Sequence, residues 1–392
     1  MMEDWGGTSA LSHLSSQDSI LPPFQSRSPP VFQIIVYARS ATRPQECLMP
    51  ARTIVTTSPE LRSWALRELR VIAPDLRVAR EFAAGVFMVA TDTDGRTFSD
   101  ALVRADPVFV KHAMPVQAEA DLTGRRETDL PLILDRARQA ATLAPGERFC
   151  VQCRRVGPGF DYDAKDVEVC VGSHFEGQGS VPVFSDTAVA AEESLKVISV
   201  YLFRDKGYVG FSTVGQNLNE HCDEYRVFSR HGRTVSRAEY KLIEALRRFR
   251  VTVPSGRALD LGAAPGGWTR VLADAGMNVV AVDPADLDPS VIALPGVTHA
   301  RVRAEDYVSD GGFDLLASDM NVDPEQSAAA MVTMARHLRP GAPAIMTVKL
   351  VIRNAARLLD NIRPILAPAY DVVRIKCLFH NRREVTVLLR RK

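Results

Sequence analysis

The run Asp260-Leu-Gly262-Ala-Ala264-Pro265-Gly266-Gly267-Trp268 holds the residue types and spacing from which chemistry is most directly read. An apolar segment leads into it and a helix-like one leaves it toward residue 274, giving strand, glycine-rich turn and helix. That is the opening crossover of a doubly wound α/β fold, which binds nucleotides at the carboxyl edge of its sheet. Glycines at 262, 266 and 267 let the backbone approach a ligand and take turns closed to residues with a Cβ. A second apolar segment, 277–282, ends at Asp283, where a carboxylate can accept both ribose hydroxyls of an adenosine. The spelling opposes a dinucleotide. G-x-G-x-x-G is absent, Pro265 stands where the dinucleotide loop needs spacing for a pyrophosphate, and Asp260 would sit poorly beside a diphosphate. An acid there suits a cation, so S-adenosylmethionine, with its sulfonium and ammonium groups, is the expected cofactor.

The elements that must position this turn lie in a chain of 392 residues, a length that predicts two or three domains. Residues 1–50 read as a disordered leader: 1–30 are rich in Ser, Pro and Gly without hydrophobic periodicity. Glu3, Asp4 and Asp18 precede the first arginine, Arg27, which disfavours a transit peptide. In 51–120 a β-branched run at 53–57 is followed by Ser58-Pro59-Glu60, an N-cap signal for a helix reaching 72. Strands at 78–90 and 108–118 with a helix at 98–104 complete a small α+β domain of ferredoxin-like type. In 121–218 the pattern is a helix at 130–142, a strand at 148–156, a helix at 163–175, and strands at 193–204 and 206–213. The last two are joined at Asp205-Lys206-Gly207, a hairpin signal. Through Phe149-Cys-Val-Gln-Cys-Arg-Arg155, Asp166-Val-Glu-Val-Cys-Val-Gly172 and the strand pair across 197–210, this section resembles a THUMP domain, which implies RNA binding. Its competitor is an α+β domain with no RNA role. Residues 219–392 form the third domain, Rossmann-like and doubly wound.

Composition excludes several classes. With 46% hydrophobic and 24% charged residues the chain is neither disordered nor fibrous, and no apolar run reaches the roughly 20 residues of a membrane span. Six scattered cysteines without a secretory signal point to a reducing compartment, so a cytoplasmic location is expected. Cys150 and Cys153 form a C-x-x-C with no second half. They lie in a strand-like run that sends them to opposite faces, so they are read as small buried hydrophobes and no metal is expected. A net charge of +1 argues against an RNA partner until its distribution is considered. Residues 226–257 carry nine Arg and Lys against Glu239 and Glu244, and 374–392 carry seven against Glu384 alone. Phosphate contacts are expected along those two stretches.

The glycine-turn spelling is that of FtsJ-type S-adenosylmethionine-dependent methyltransferases, and the resemblance extends across 226–392. It implies ribose 2′-O-methylation of RNA by a Lys-Asp-Lys-Glu tetrad. Ser236-Arg-Ala-Glu-Tyr-Lys241 matches the first lysine and Phe313-Asp-Leu-Leu-Ala-Ser-Asp319 the aspartate. Ala344-Ile-Met-Thr-Val-Lys349 matches the second lysine, the family's proton acceptor, and His380-Asn-Arg-Arg-Glu384 the glutamate. A ribose hydroxyl is a weak acid, and a lysine takes its proton only when the amine is neutral near working pH. The neighbouring cation Lys241 favours that, while Asp319 and Glu384 orient the ammonium groups. The cofactor contacts implied are Ser236, Asp260, Gly262, Ala264, Pro265, Gly266, Gly267, Trp268, Asp283, Asp306 and Asp319, with Glu305 competing with Asp306 for the adenine side.

Within the family the sequence is most similar to the THUMP-containing type that methylates a large-subunit rRNA cytidine. It departs from the family at Val351 and at Asn321-Val-Asp-Pro324, where proline is common sooner, which bears on the target nucleotide more than on the reaction. Two rivals are RNA base methylation and an S-adenosylmethionine-binding RNA chaperone or ribosome assembly factor without turnover. The first would use an Asn/Asp-Pro-Pro-aromatic loop, which Ser318-Asp319-Met-Asn321 is not, or a cysteine near the strand ends, which is missing.

Overall fold

In the computed structural model the described residues are 51–183, 192–219, 234–309, 311–350 and 355–392. The leader 1–50, Arg226, Arg230, Arg233 and Val351 lie outside them.

The first sheet is built on β1 (Ala51–Thr56), whose period-two alternation sends Val55 and Ile54 into different cores. It continues through α1 (Arg62–Ile72), β2 (Arg77–Ala83), β3 (Val86–Thr91), α2 (Gly95–Ala105) and β4 (His112–Val116). The strand order is β2-β3-β1-β4 with every neighbour antiparallel, the β-α-β-β-α-β ferredoxin-like arrangement. The expected strand at 78–90 is in fact a hairpin, folded back at Gly85. There φ is +77° and a Cβ would lie 2.4 Å from the Thr57 carbonyl oxygen, so only glycine fits. The expected strand at 108–118 is also divided: Gln117 separates β4 from β5 (Ala118–Asp121), which joins the second sheet.

That second sheet adds α3 (Arg126–Ala140), β6 (Arg148–Val156), α4 (Ala164–Gly177), β7 (Val181–Pro182), β8 (Lys196–Phe203) and β9 (Lys206–Thr213), in the order β5-β9-β8-β6-β7. Asp163 opens α4 with a reciprocal capping box to Asp166. Cys150 packs with Leu195, Val197 and Val214, whereas Cys153 packs with Val167 and Val171 beneath the helices, so the two thiols face opposite sides of β6. The first two sheets meet through Ile54, Phe82, Met88 and Met114 on one side and Tyr201, Phe203 and Tyr208 on the other.

The third unit comprises α5 (Ala238–Arg248), β10 (Arg257–Leu261), α6 (Gly267–Asp274), β11 (Asn278–Val282), α7 (Pro289–Ile292), β12 (Val297–Ala300) and β13 (Leu315–Ser318). It ends with α8 (Pro324–Met334), β14 (Pro343–Lys349), α9 (Ala355–Leu366), β15 (Tyr370–Lys376) and β16 (Glu384–Arg391). Strand order β12-β11-β10-β13-β14-β16-β15 places the topological switch between β10 and β13, where a doubly wound sheet opens its ligand crevice. The first five strands are parallel and β16 runs antiparallel, pairing Glu384 with Lys349. The start of β16 thus falls on the same edge as the carboxyl ends of the others.

The basic C-terminal stretch corrects the charge reading. Arg374 donates to both oxygens of Asp106 at 2.8 and 2.7 Å, and Lys376 reaches Asp106 at 2.5 Å and the Pro107 carbonyl at 2.6 Å. Arg391 donates to the carbonyls of Ala335 and Ala369. These cations dock the ferredoxin-like module and close the sheet rather than face a polyanion. Arg382, Arg383 and Arg390 are the exposed arginines of the run.

Candidate active site

Four side chains from four elements meet at the carboxyl edge. Lys241, on the first turn of α5, extends its Nζ to 3.1 Å from Asp319 Oδ2 and 2.7 Å from Glu384 Oε1. Asp319 follows β13, Lys349 ends β14 and Glu384 begins β16. Lys349 Nζ is hydrogen-bonded to Glu384 Oε2 and lies 3.5 Å from Asp319 Oδ1. Each ammonium therefore faces both carboxylates in a closed ring of alternating charge. The sequence spacing between Lys241 and Glu384 gave no hint of this; the antiparallel β16 creates it.

Burial differs around the ring. Glu384 is 7% exposed and Lys349, at its open side, 30%. Burial by itself would raise the pKa of Glu384, but the adjacent Lys241 and Lys349 outweigh it and hold that pKa below its ordinary value. Burial works against a charged Lys241 too, yet Asp319 and Glu384 keep its pKa above the usual one. Lys241 is thus the permanent cation of the ring.

Three supporting residues escaped the sequence reading. Thr347 Oγ1 donates to Asp319 Oδ1 at 2.6 Å; it precedes Lys349 by two residues and so shares its face of β14. Glu244, three residues after Lys241 on α5, accepts from Phe379 N at 2.7 Å, His380 N at 3.0 Å and pairs with His380 Nδ1 at 2.8 Å. Although Glu244 is buried, His380 and the two amides keep its pKa below the ordinary value. Asn381 donates from Nδ2 to Glu384 Oε1 at 3.4 Å. The i, i+3 spacing of Lys241 and Glu244 was the available signal.

Around the glycine turn, the glycines serve the protein's own packing. A Cβ on Gly262 would lie 2.6 Å from Met320 Cγ, on Gly266 2.9 Å from Val291 Cγ1, and on Gly267 2.3 Å from Ser236 Oγ. Ser236 is drawn there because Glu239 Oε1 accepts from the amides of Val235 and Ser236 at 2.6 and 3.2 Å. Asp283 accepts from Ala264 N at 3.1 Å and Ala285 N at 2.8 Å, which ties the end of β11 to the turn at Ala264-Pro265. Asp260 is buried and accepts from Thr269 Oγ1 at 2.7 Å. Burial, with Asp319 and Asp283 adding to it, pushes its pKa up to about 7. Asp306 and Glu305 are both exposed on a short turn after β12. Trp268 requires a correction as a ligand contact: its side chain is 2% exposed, lies in the core, and donates from Nε1 to the Ala238 carbonyl at 2.8 Å. It locks α6 to α5. Among the described residues, no cluster of three or more His, Cys, Asp or Glu side chains could hold a metal ion. No helix among them is long and apolar enough to cross a membrane.

Residues 234–358 match the family model of FtsJ-like methyltransferases. The chain is 36% identical over 164 residues to Ribosomal RNA large subunit methyltransferase M of Halorhodospira halophila, covering 40% of this chain and 47% of that protein. It is 32% identical over 167 residues to the protein of the same name from Thauera aminoaromatica, covering 41% and 45%. The chain thus matches slightly under half the length of these relatives. Among solved structures, TrmN from Thermus thermophilus aligns over 87% of this chain and 99% of its own at 16% identity, with a TM-score of 0.34.

Proposed function

We propose that this chain transfers a methyl group from S-adenosylmethionine to a ribose 2′-hydroxyl of RNA, with large-subunit rRNA as the substrate. The closed ring of Lys241, Asp319, Lys349 and Glu384 beside the glycine turn carries this reading. The names of the relatives support it. The turn's surroundings fit the cofactor chemically, because Asp283 and Asp319, joined by Asp260 once it ionises, turn negative charge toward one region, and the raised pKa of Asp260 registers the other two. Such a field attracts a sulfonium and an ammonium and repels a pyrophosphate. Ser236, Ala264 to Gly267 and Asp283 would hold the cofactor, with Asp306 at the adenine side. When bound, S-adenosylmethionine supplies an electrophilic methyl carbon.

The protein's own residues do the rest. Lys349, the most exposed member of the ring, accepts the hydroxyl proton at Nζ as the free amine. Lys241 stays charged and keeps Asp319 and Glu384 in place. Alignment of oxygen, methyl carbon and sulfur supplies most of the acceleration. The module carrying β5 to β9, taken as THUMP-like, together with Arg382, Arg383 and Arg390, would guide RNA to this edge in the cytoplasm.

The test is product identity. Incubated with methyl-labelled S-adenosylmethionine and large-subunit rRNA lacking the modification, the protein should yield a 2′-O-methylnucleoside after digestion and mass spectrometry. Label on a base, or transfer to no RNA, overturns the reading. A second prediction concerns Asp260. Its ionised form favours a cationic ligand, so cofactor affinity should rise as pH climbs through about 7, by up to about eightfold from pH 6 to 7.5, as the ionised fraction does. Calorimetric titrations should show this slope in the wild type and a flat profile in Asp260→Asn.

A further inference from the structure

Glu384 sits at the end of the segment 377–383, and that segment is gripped from two sides. On one side is Glu244 of α5, already described. On the other is the ferredoxin-like module. Lys111, buried just before β4, donates from Nζ to the Asn381 carbonyl at 2.8 Å and to the Phe379 carbonyl at 3.2 Å. Ser58, which by sequence should cap the helix after it, makes no side-chain cap; its hydroxyl donates to the same Asn381 carbonyl at 3.1 Å. Cys377 N donates to the Val108 carbonyl at 2.8 Å, and Glu60 pairs with Arg383 at 3.4 Å. The side chain of Asn381 then accepts from Leu378 N and Thr386 Oγ1 through Oδ1 and donates to Glu384 through Nδ2.

From this chain of contacts we infer that Lys111 and Ser58 are positioning residues of the active site, acting through Asn381 to aim the Glu384 carboxylate between the two lysines. The ferredoxin-like module is then a working part of the catalytic centre, in addition to any contact it makes with RNA. The chemistry explains the choice of residues. Two backbone carbonyls in a buried turn need strong donors, and one ammonium can serve both from a neighbouring module. Glu384 has two oxygens, each committed to a different lysine, so a small rotation of its backbone breaks one of the pairs.

The inference rests on the proposed tetrad for its effect on turnover, but not for the clamp itself, and the test separates the two. Lys111→Met should lower kcat about tenfold with S-adenosylmethionine affinity unchanged, and Ser58→Ala should lower it by about threefold. Lys111→Arg, which keeps a donor, should recover part of the loss. In a Glu384→Gln background Lys111→Met should add almost nothing, because its effect passes through that carboxylate. Full multiplication of the two losses, or an unchanged kcat in Lys111→Met, overturns the inference. Amide hydrogen exchange reads the clamp without turnover. Residues 378–384 should exchange faster in Lys111→Met and Ser58→Ala while β10 and β13 keep their protection, and unchanged exchange at 378–384 overturns it even if no methyl transfer is ever detected.

Discussion

On the proposed reaction, replacing Lys349 by methionine should reduce methyl transfer to RNA about a thousandfold while leaving cofactor affinity within about twofold, because it removes the proposed base and little else. Methionine preserves most of the aliphatic stem at the end of β14. Glu384 keeps its 2.7 Å pair with Lys241, and Asp319 keeps Lys241 at 3.1 Å and the Thr347 hydroxyl at 2.6 Å. The ring therefore loses one cation without leaving either carboxylate unpaired, and unfolding should move by less than about 1 kcal/mol. Lys349→Arg is the sharper variant. A guanidinium restores the charge and can pair with both carboxylates, yet it does not give up its proton in a protein. If Lys349 acts as the base, the arginine variant is as inactive as the methionine one. If the residue merely supplies positive charge to the ribose or phosphate, the arginine variant retains a substantial rate. Single-turnover methylation of rRNA, with cofactor binding measured separately, distinguishes these outcomes.

The glycine-turn half of the candidate site was legible because its residues are close in sequence. From Asp260 to Asp283 a strand, a turn, a helix and a second strand follow one another, and each announces itself by glycine, apolar runs and a terminal acid. The side-chain roles within it were less legible. Trp268 stands in the middle of the motif and yet faces the core, because α6 must also be fastened to α5. The glycines that seemed to make room for a ligand also make room for Met320, Val291 and Ser236. The half of the candidate site formed by the charged ring depends on strand order and direction, which no local pattern encodes; only resemblance to a family brought Lys241, Asp319, Lys349 and Glu384 together in advance. Thr347, Glu244 and Asn381 are ordinary polar residues until the sheet is assembled. The basic tail failed for the same reason. Charge counting places Arg374 and Lys376 on a surface, whereas the fold turns them inward to Asp106. The hairpin break at Gly85 was missed because charged, alternating β2 and apolar β3 are separated by only two residues, and one glycine is the whole signal.

The second large effect belongs to that inward turn. Asp106→Ala should destabilise the protein by about 3 kcal/mol or more at pH 6, since it leaves a buried ammonium without its counter-charge. The Lys376 side chain is 3% exposed, and its remaining contact would be the Pro107 carbonyl at 2.6 Å. Glu68, Arg374 and Arg248 are the other charges around it; the arginines oppose it, and burial pushes the pKa of Glu68 up to about 7, so that carboxyl is a weak substitute. Burial has already brought the pKa of Lys376 down to about 8 with Asp106 present, and without Asp106 it must fall further. The pH dependence follows from that sign. Below the variant's own value both folded and unfolded chains hold the proton, and the full penalty applies. As pH rises from there toward 8, the folded variant sheds the proton while its unfolded chain keeps it, so the variant gains stability. The wild type does not gain over that interval, because its Lys376 titrates only near 8. The deficit measured by urea unfolding should therefore be larger at pH 6 than at pH 8. The double variant Asp106→Ala/Lys376→Met should regain more than half of the loss at pH 6, because a buried ion pair exchanged for apolar volume is often close to neutral. A single variant that loses under about 1 kcal/mol, or a deficit that grows with pH, would mean that the ferredoxin-like module is not held by this pair, and that the grip of Lys111 on the Glu384 segment must have another anchor.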